Sequence, residues 1–443
     1  MYEAIGVSNE KRTVSTHEAG VSSGSAFFRV GVSVDGLWRA LVRILPIVLL
    51  LALLGWNLFL IYMLATEVRM NDFGRFYYSA LAFLQGHDMY GPRPVEFAQL
   101  PELQLGKQFG NMNPPHFHLV VLPLAFFPPL VALGGWGILS GLCLFLSLKV
   151  ISQESTLVIP RCRWWLVALG FLSFTGTQMM LITGQLAWVL FLPVTLAWAA
   201  ARHGRWPSAG GYVGVVMSVK PFLLIFLPYF VLQRQWRAVI TAGVTLLGCF
   251  VVGVMVFGVE AYRSWLATLA AVNWTLGDTN VSLLGFLTRV FSANAMFSSL
   301  IDMPGVIRPL WLLIAGFIGA LTFAVSTWSR DENTTDRSFA LLLLAALLIS
   351  PLGWTYYLWF PLGPFTALWC SWWRAKRGAV VPPFSALQWR NWLLLAATPG
   401  LVWPFLATGF LQPHPWATVV FGSIYFWSTL FLWSALIIDW RVD

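Results

Sequence analysis

The 443-residue chain is 58% hydrophobic and only 10% charged, with a mean hydropathy of +0.73, whereas soluble domains carry about 25% charged residues. That composition excludes a water-soluble globular enzyme. The net charge of +9 does not indicate nucleic acid, because the basic residues fall in short loops between apolar runs, as the positive-inside rule predicts for a membrane protein.

The apolar runs recur in segments of roughly 15–25 residues, long enough to cross the hydrocarbon as helices, whose backbone hydrogen bonds close within each segment. No period-two alternation suggests a barrel. The expected fold is therefore all-α and polytopic. Residues 1–36 hold no apolar stretch suited to a signal peptide, and the next segment, 37–65, is too long for a cleavable one. We expect a flexible cytoplasmic N-terminal tail over 1–36 and a single transmembrane domain over 37–443.

Placing the basic loops at 11–43, 161–163, 202–205, 234–237, 330–337, 374–377 and Arg441 in the cytoplasm orders the spans. Segment 37–65 leads out and a first external loop covers 66–114. The proline-rich stretch 114–128 is too short to span and is expected to be re-entrant or interfacial. Segment 131–150 returns, 164–183 exits and 186–201 returns. About 28 residues separate Arg205 from Arg234, too few for two full spans. They predict two short helices over 209–232 that turn inside the membrane at Lys220-Pro221. Next, 238–257 exits, a second external segment covers 259–306, and 310–328 returns. Segment 338–349 exits, 357–372 returns, and 392–410 with 416–438 forms a last hairpin. The total is about ten to thirteen transmembrane or re-entrant helices. Cys143, Cys162, Cys249 and Cys370 show no CxxC spacing and read as packing residues.

On this topology the unusual polar positions share the outer face: Asp72, NMNPPHFH (111–118), ThrGlyGln (183–185), NWTLGDTNVS (273–282) and SPLGWTYY (350–357). Each has a structural alternative. Asp72 or Asn71 could cap a helix. Lys220 could snorkel or pair with a carboxylate, although a lysine within the membrane is usually functional. Gln185 and Asn280 could bridge helices. His116 and His118 could be interfacial residues satisfied by water. Trp354, Tyr356 and Tyr357 could belong to an aromatic belt. Their convergence instead describes a pocket for an anionic group and polar hydroxyls. Phe73, Phe76, Tyr77, Ala80, Leu81 and Leu84 at helical spacing predict an amphipathic helix lying on the outer leaflet. No P-loop or HExxH run points to a nucleotidase or zinc enzyme.

Several of these segments occur in an order that resembles glycosyltransferase family 87, the polyprenyl-phosphate-mannose-dependent type within the GT-C superfamily. They are the run from Asp72 to Tyr90, Asn-Pro-Pro at 113–115 followed by LPLAFFP (122–128), Gly184-Gln185, GGYVGVVMSVKP (210–221) before a basic RQWR loop, Asn280-x-Ser282-x-x-Gly285 and SPLGW (350–354). The resemblance implies a GT-C-type fold whose first external loop carries the catalytic residue. It implies transfer of a hexose from a polyprenyl-phosphate sugar to a hydroxyl of a glycan or glycolipid acceptor at an extracytoplasmic site in the cell inner (plasma) membrane. Both termini would then be cytoplasmic. The lipid bilayer, the donor and the acceptor are the expected partners, with no nucleic acid.

Asp72 matches the family's catalytic aspartate. A polyprenyl phosphate leaves readily, so the incoming hydroxyl needs a single carboxylate base, not the pair used in glycoside hydrolysis. Lys220 suits the donor phosphate, whose charge grows as the glycosyl bond breaks. Arg75 is a second candidate, although one turn after Asp72 it could pair with it. Gln185, Asn280, Trp354, Tyr356, Tyr357, His116 and His118 are expected at the sugar or acceptor. With no metal-ligand cluster in the sequence, and in keeping with the resemblance, no cofactor and no metal are expected. One departure stands out: the family commonly carries histidine just after Ser-Pro-x-x-Trp, where this chain has Thr355-Tyr356-Tyr357. Either a tyrosine hydroxyl substitutes, or His116 or His118 supplies the imidazole, or the acceptor differs. A transporter or flippase of a lipid-linked glycan, motivated by the break at Lys220-Pro221, is the competing reading, and an idle assembly partner a weaker one.

Overall fold

The computed structural model describes residues 34–66, 72–91, 110–157, 163–271, 274–293, 298–328, 333–375, 386–402 and 414–439. Most of the expected tail, parts of the first external loop and the end of the 392–410 segment lie outside these residues. The chain forms two compact units, Met1–Val48 and Leu49–Asp443. Of the first, the start of helix α1 (Val34–Thr66) is described. The second holds the rest of α1 and everything that follows.

The described residues form seventeen α-helices and no strand. After α1 come α2 (Asp72–Leu84), α3 (His118–Val121), α4 (Pro129–Ser155), α5 (Trp164–Ser173), α6 (Thr175–Thr183), α7 (Ala187–Arg202), α8 (Trp206–Val219) and α9 (Phe226–Leu232). They continue with α10 (Trp236–Ala271), α11 (Leu283–Phe291), α12 (Ile307–Trp328), α13 (Thr334–Ile349), α14 (Leu362–Ala375), α15 (Ala386–Val402), α16 (Pro415–Val420) and α17 (Ile424–Asp439). Pro129–Ser155, Trp236–Ala271 and Pro304–Trp328 are long and apolar enough to cross a membrane. With the shorter apolar helices around them they make an all-α polytopic membrane protein.

Two spans depart from the sequence expectation. Segment 164–183 is bent by 59° between α5 and α6. At the break Phe174 is extended (ψ 124°) and its ring folds over Gly176, where a Cβ would lie 2.6 Å from it. The polar start of α6 is buried there, with the Thr175 hydroxyl donating to Gly400 O at 2.9 Å. The 238–257 span runs on to Ala271 after a break at Gly258 (φ 79°, ψ 164°), a backbone region that essentially only glycine enters.

The expected pair of short helices over 209–232 is present as α8 and α9, joined by a 3₁₀ turn, Pro221–Ile225. α8 packs on α10 through small residues. A Cβ at Gly214 would lie 2.6 Å from Ala242 O, and one at Gly210 2.2 Å from Ala238 O, whereas at Gly211 the nearest atom is Thr245 Oγ1 at 3.7 Å. Gly214→Ala is therefore expected to destabilise the protein by about 1–3 kcal/mol through forced separation of the helices. Gly211→Ala should be neutral or gain up to about 1 kcal/mol of helix propensity. Thermal unfolding in detergent checks both; equal melting temperatures for the two variants would refute this packing account.

α13 is the buried centre, with every residue from Phe339 to Leu348 shielded, as expected for a helix apolar on all sides. α7 and α13 join two polar ends. At one end Trp198 Nε1 donates to Asp336 Oδ1 at 2.8 Å, Arg202 pairs with Asp336 at 3.1 Å, and Arg337 and Arg390 converge on buried Asp439. The other ends of α7 and α13 lead to Gln185 and to the 350–357 segment, where the candidate site lies.

Candidate active site

α2 is pinned by aromatic packing. Phe73 lies 6.0 Å from the Trp136 ring, Phe76 meets Phe117 edge-on at 5.1 Å, and the Tyr77 hydroxyl donates to Phe127 O at 2.8 Å. Phe73, Gly74, Phe76–Ala80 and Ala82 are all buried, leaving Leu84 exposed and Leu81 half-buried. The helix expected to lie on the leaflet is thus packed in protein on most sides, because its aromatic face meets α4 and the 115–126 segment. Its first turn carries Asp72, where the helix dipole favours a carboxylate.

Two donors hold Asp72. Arg75 Nη1 lies 3.0 Å from Oδ1, so the local ion pair weighed from the sequence forms, and Gln185 Nε2 donates to Oδ2 at 2.7 Å. Gln185 reaches it because α6 ends in Gly184 at φ 62°, whose carbonyl accepts from Trp136 Nε1 at 2.8 Å. The Arg75 guanidinium also stacks over the Trp274 ring at 4.7 Å.

Lys220 sits at the extended junction after α8 (φ −130°, ψ 91°), as proline imposes on the residue before it. Its Nζ donates to Asn113 Oδ1 at 2.7 Å and lies 5.8 Å from the Tyr357 ring centroid. Asn113 is fixed in turn: its N–H and its side-chain amide donate to Asn111 Oδ1 at 3.1 and 3.2 Å, and its carbonyl accepts from the Tyr90 hydroxyl at 2.5 Å. Burial, with smaller effects from Tyr262 and Asp88, raises the Tyr90 hydroxyl well above its usual value, so it remains a proton donor.

Asp72, Arg75, Gln185, Lys220, Trp354 and Tyr356 line one cavity of about 260 Å³. Its ionic groups, one carboxylate and two cations, sum to +1. The other expected residues do not line it. Asn280 is fully buried; its amide donates to Thr275 O and Pro351 O at 3.1 and 3.2 Å, and its Oδ1 accepts from Ser282 N and Gly353 N, both at 3.0 Å. It ties the 274–282 segment to the 351–355 turn. Tyr357 is buried behind Lys220, presenting a ring face to it.

The histidines are likewise engaged elsewhere. His118 Nδ1 faces Pro114 O at 3.2 Å and must donate to it, so Nε2 accepts from Asn111 Nδ2 at 2.8 Å. His116 Nε2 faces Ser218 O at 3.0 Å, which leaves Nδ1 to accept from the Tyr262 hydroxyl, also at 3.0 Å. Neither imidazole faces the cavity, so of the alternatives for the missing family histidine, the group the cavity does carry is Tyr356.

Asn111, Asn113, Met112, Thr183, Trp274 and Thr279 line the same cavity; the sequence brought their segments to the outer face but singled out none of them. Asn113 stood in the Asn-Pro-Pro run, and Trp274 and Thr279 in the second polar segment. Nothing in their residue types distinguished them from neighbours that point away.

The family model described as Glycosyltransferase family 87 matches residues 111–351, more than half of the chain, taking in Gln185, Lys220 and Trp274. Among curated proteins and among solved structures, nothing matches.

Proposed function

This chain belongs to glycosyltransferase family 87, and we propose that this membrane glycosyltransferase moves a hexose, mannose by default, from a polyprenyl-phosphate sugar to a hydroxyl of a glycan or glycolipid acceptor. The reading is carried by the sharing of one cavity by a carboxylate and an ammonium whose surroundings sum to +1. A polyprenyl-phosphate sugar is a phosphodiester with one negative charge, which that excess balances. A diphosphate donor would leave charge unmatched.

In this mechanism Asp72 accepts the proton of the acceptor hydroxyl as its oxygen attacks the anomeric carbon. Each carboxylate oxygen already accepts one hydrogen bond, from Arg75 or from Gln185, and retains lone-pair capacity for the incoming proton. The bond from the anomeric carbon to the phosphate oxygen breaks, and the polyprenyl phosphate leaves with a second negative charge. Lys220, held by Asn113, stabilises that charge as it develops. Gln185, Trp274, Trp354 and Tyr356 face the sugar and acceptor. The site is placed on the extracytoplasmic face of the inner membrane, because the basic loops are expected in the cytoplasm.

Purified protein supplied with radiolabelled polyprenyl-phosphate mannose, a membrane glycolipid extract and EDTA should yield labelled product stable to the mild acid that hydrolyses the donor. Absence of transfer from any polyprenyl-phosphate hexose would overturn the proposal. For the sidedness, Met112→Cys on the cavity wall should react with an impermeant maleimide from the extracytoplasmic face alone; reaction from both faces would favour a transporter.

A further inference from the structure

Arg289, on α11, is a buried cation that the chemistry above leaves unused. Its side chain is fully shielded and does not line the cavity. Its Nη1 donates to Gly277 O at 2.8 Å, Nη2 to Asn280 O at 3.2 Å, and Nε to Ser423 Oγ at 3.2 Å. The Ser423 hydroxyl in turn donates to Thr418 O at 3.0 Å, so the clamp reaches α16. Asp278 lies within electrostatic reach of the guanidinium. Removing such a group from water costs several kcal/mol unless its N–H groups are satisfied, and here they are satisfied chiefly by the backbone of one short segment.

That segment is the backing of the aromatic wall. A Cβ at Gly277 would lie 3.1 Å from Trp354 Cζ3, so the indole rests on the backbone that Arg289 holds. Asn280 and Trp354 form an isolated antiparallel bridge, Val281 N donates to Gly353 O at 2.6 Å, and Thr355 N donates to Thr279 O at 3.1 Å. Trp354 in turn stacks on Tyr356, with ring centroids 6.4 Å apart and planes 20° from parallel.

We infer that Arg289 is a positioning residue for sugar recognition: by fixing the 277–280 backbone it sets the plane of Trp354, against which the hexose of the donor stacks, without touching substrate. The inference rests on the donor reading above. It separates two parts of one ligand. Lys220 holds the phosphate, whereas Arg289 acts on the sugar through Trp354, so its loss should change one and spare the other.

The test compares two probes, polyprenyl-phosphate mannose and sugar-free polyprenyl phosphate, binding to the full-length protein in nanodiscs. Arg289→Lys keeps the charge but cannot span three acceptors. It should lose about tenfold in affinity for the sugared probe and keep the wild-type affinity for polyprenyl phosphate. Ser423→Ala, which deletes only the hydroxyl, should shift the ratio in the same direction by less. Unchanged affinities for both probes, or an equal loss for both, overturn the inference. If Arg289→Lys does not fold, an unchanged ratio in Ser423→Ala overturns it. Failure of the wild type to bind either probe rejects the donor reading itself, and is distinguishable because no substitution is involved.

Discussion

Asp72→Asn is expected to slow transfer by about 10²–10⁴-fold, the usual worth of a positioned base, while the protein stays folded and binds donor at least as well as the wild type. The amide is isosteric and keeps one oxygen for Arg75 or Gln185, but its NH₂ then faces the other donor. Gln185 cannot turn over freely, because its Oε1 accepts from Leu186 N at 3.3 Å. The structural cost is about one mismatched hydrogen bond, on the order of 1–3 kcal/mol. Removal of one negative charge takes the cavity from +1 to +2, so phosphate affinity cannot fall for electrostatic reasons. Loss of rate with retained donor binding then assigns the defect to the chemical step. Asp72→Glu keeps the carboxylate but shifts it by a methylene, and since about 1 Å of misplacement can cost 10²-fold, it should also be severely slowed. Steady-state transfer alongside equilibrium donor binding checks both variants, and a full rate in Asp72→Asn would remove Asp72 from the mechanism.

The second large effect is on the donor. Lys220→Met, similar in length and uncharged, should lose about 1.5–3 kcal/mol of charge-assisted binding, or roughly 10–100-fold in donor KM. Asn113→Asp is the sharper variant. It is isosteric, sits 2.7 Å from the ammonium through Oδ1, and lowers the cavity charge from +1 to zero. A phosphate would then meet a carboxylate on its own cation, so donor KM should again rise at least about tenfold. The two substitutions share one contact, and their effects should not add in the double variant. A donor KM in Asn113→Asp equal to the wild type would show that Lys220 does not hold the phosphate.

What could be read from residue order came from local rules. Lys220-Pro221 declared a break because proline disfavours helix in the residue before it, and because an ammonium inside an apolar run is costly without a purpose. Asp72 was legible as the first residue of an amphipathic run. Gly210 and Gly214 belong to the GGYVGVVMSVKP run quoted for the resemblance, and they are where α8 meets α10. The loop charges divided the expected helix ends into two sets; Arg202 and Arg337, each from a basic loop, pair with Asp336 and Asp439.

The direction of each polar side chain was not legible. Gln185 and Asn280 are both amides in polar runs at helix ends, yet one donates to the Asp72 carboxylate and the other is enclosed by four backbone partners. His116 and His118 are two residues apart beside Pro-Pro, and each is turned into its own internal network by a carbonyl that no periodicity reveals. Arg289 gave no signal at all, since a single arginine in an apolar helix reads the same whether it faces water or a buried carbonyl.

By itself, then, the amino-acid order determined the class of protein, the positions of most helices and the two residues on which the proposed chemistry turns, because hydrophobic length, proline and local charge act within a few residues of chain. The tertiary structure decided which groups share the cavity. Asp72 meets Gln185 across 113 positions and Lys220 meets Asn113 across 107. Contacts at that separation depend on how helices pack and where their ends are cut, as the left-handed turn at Gly184 and the extended residue at Lys220 show.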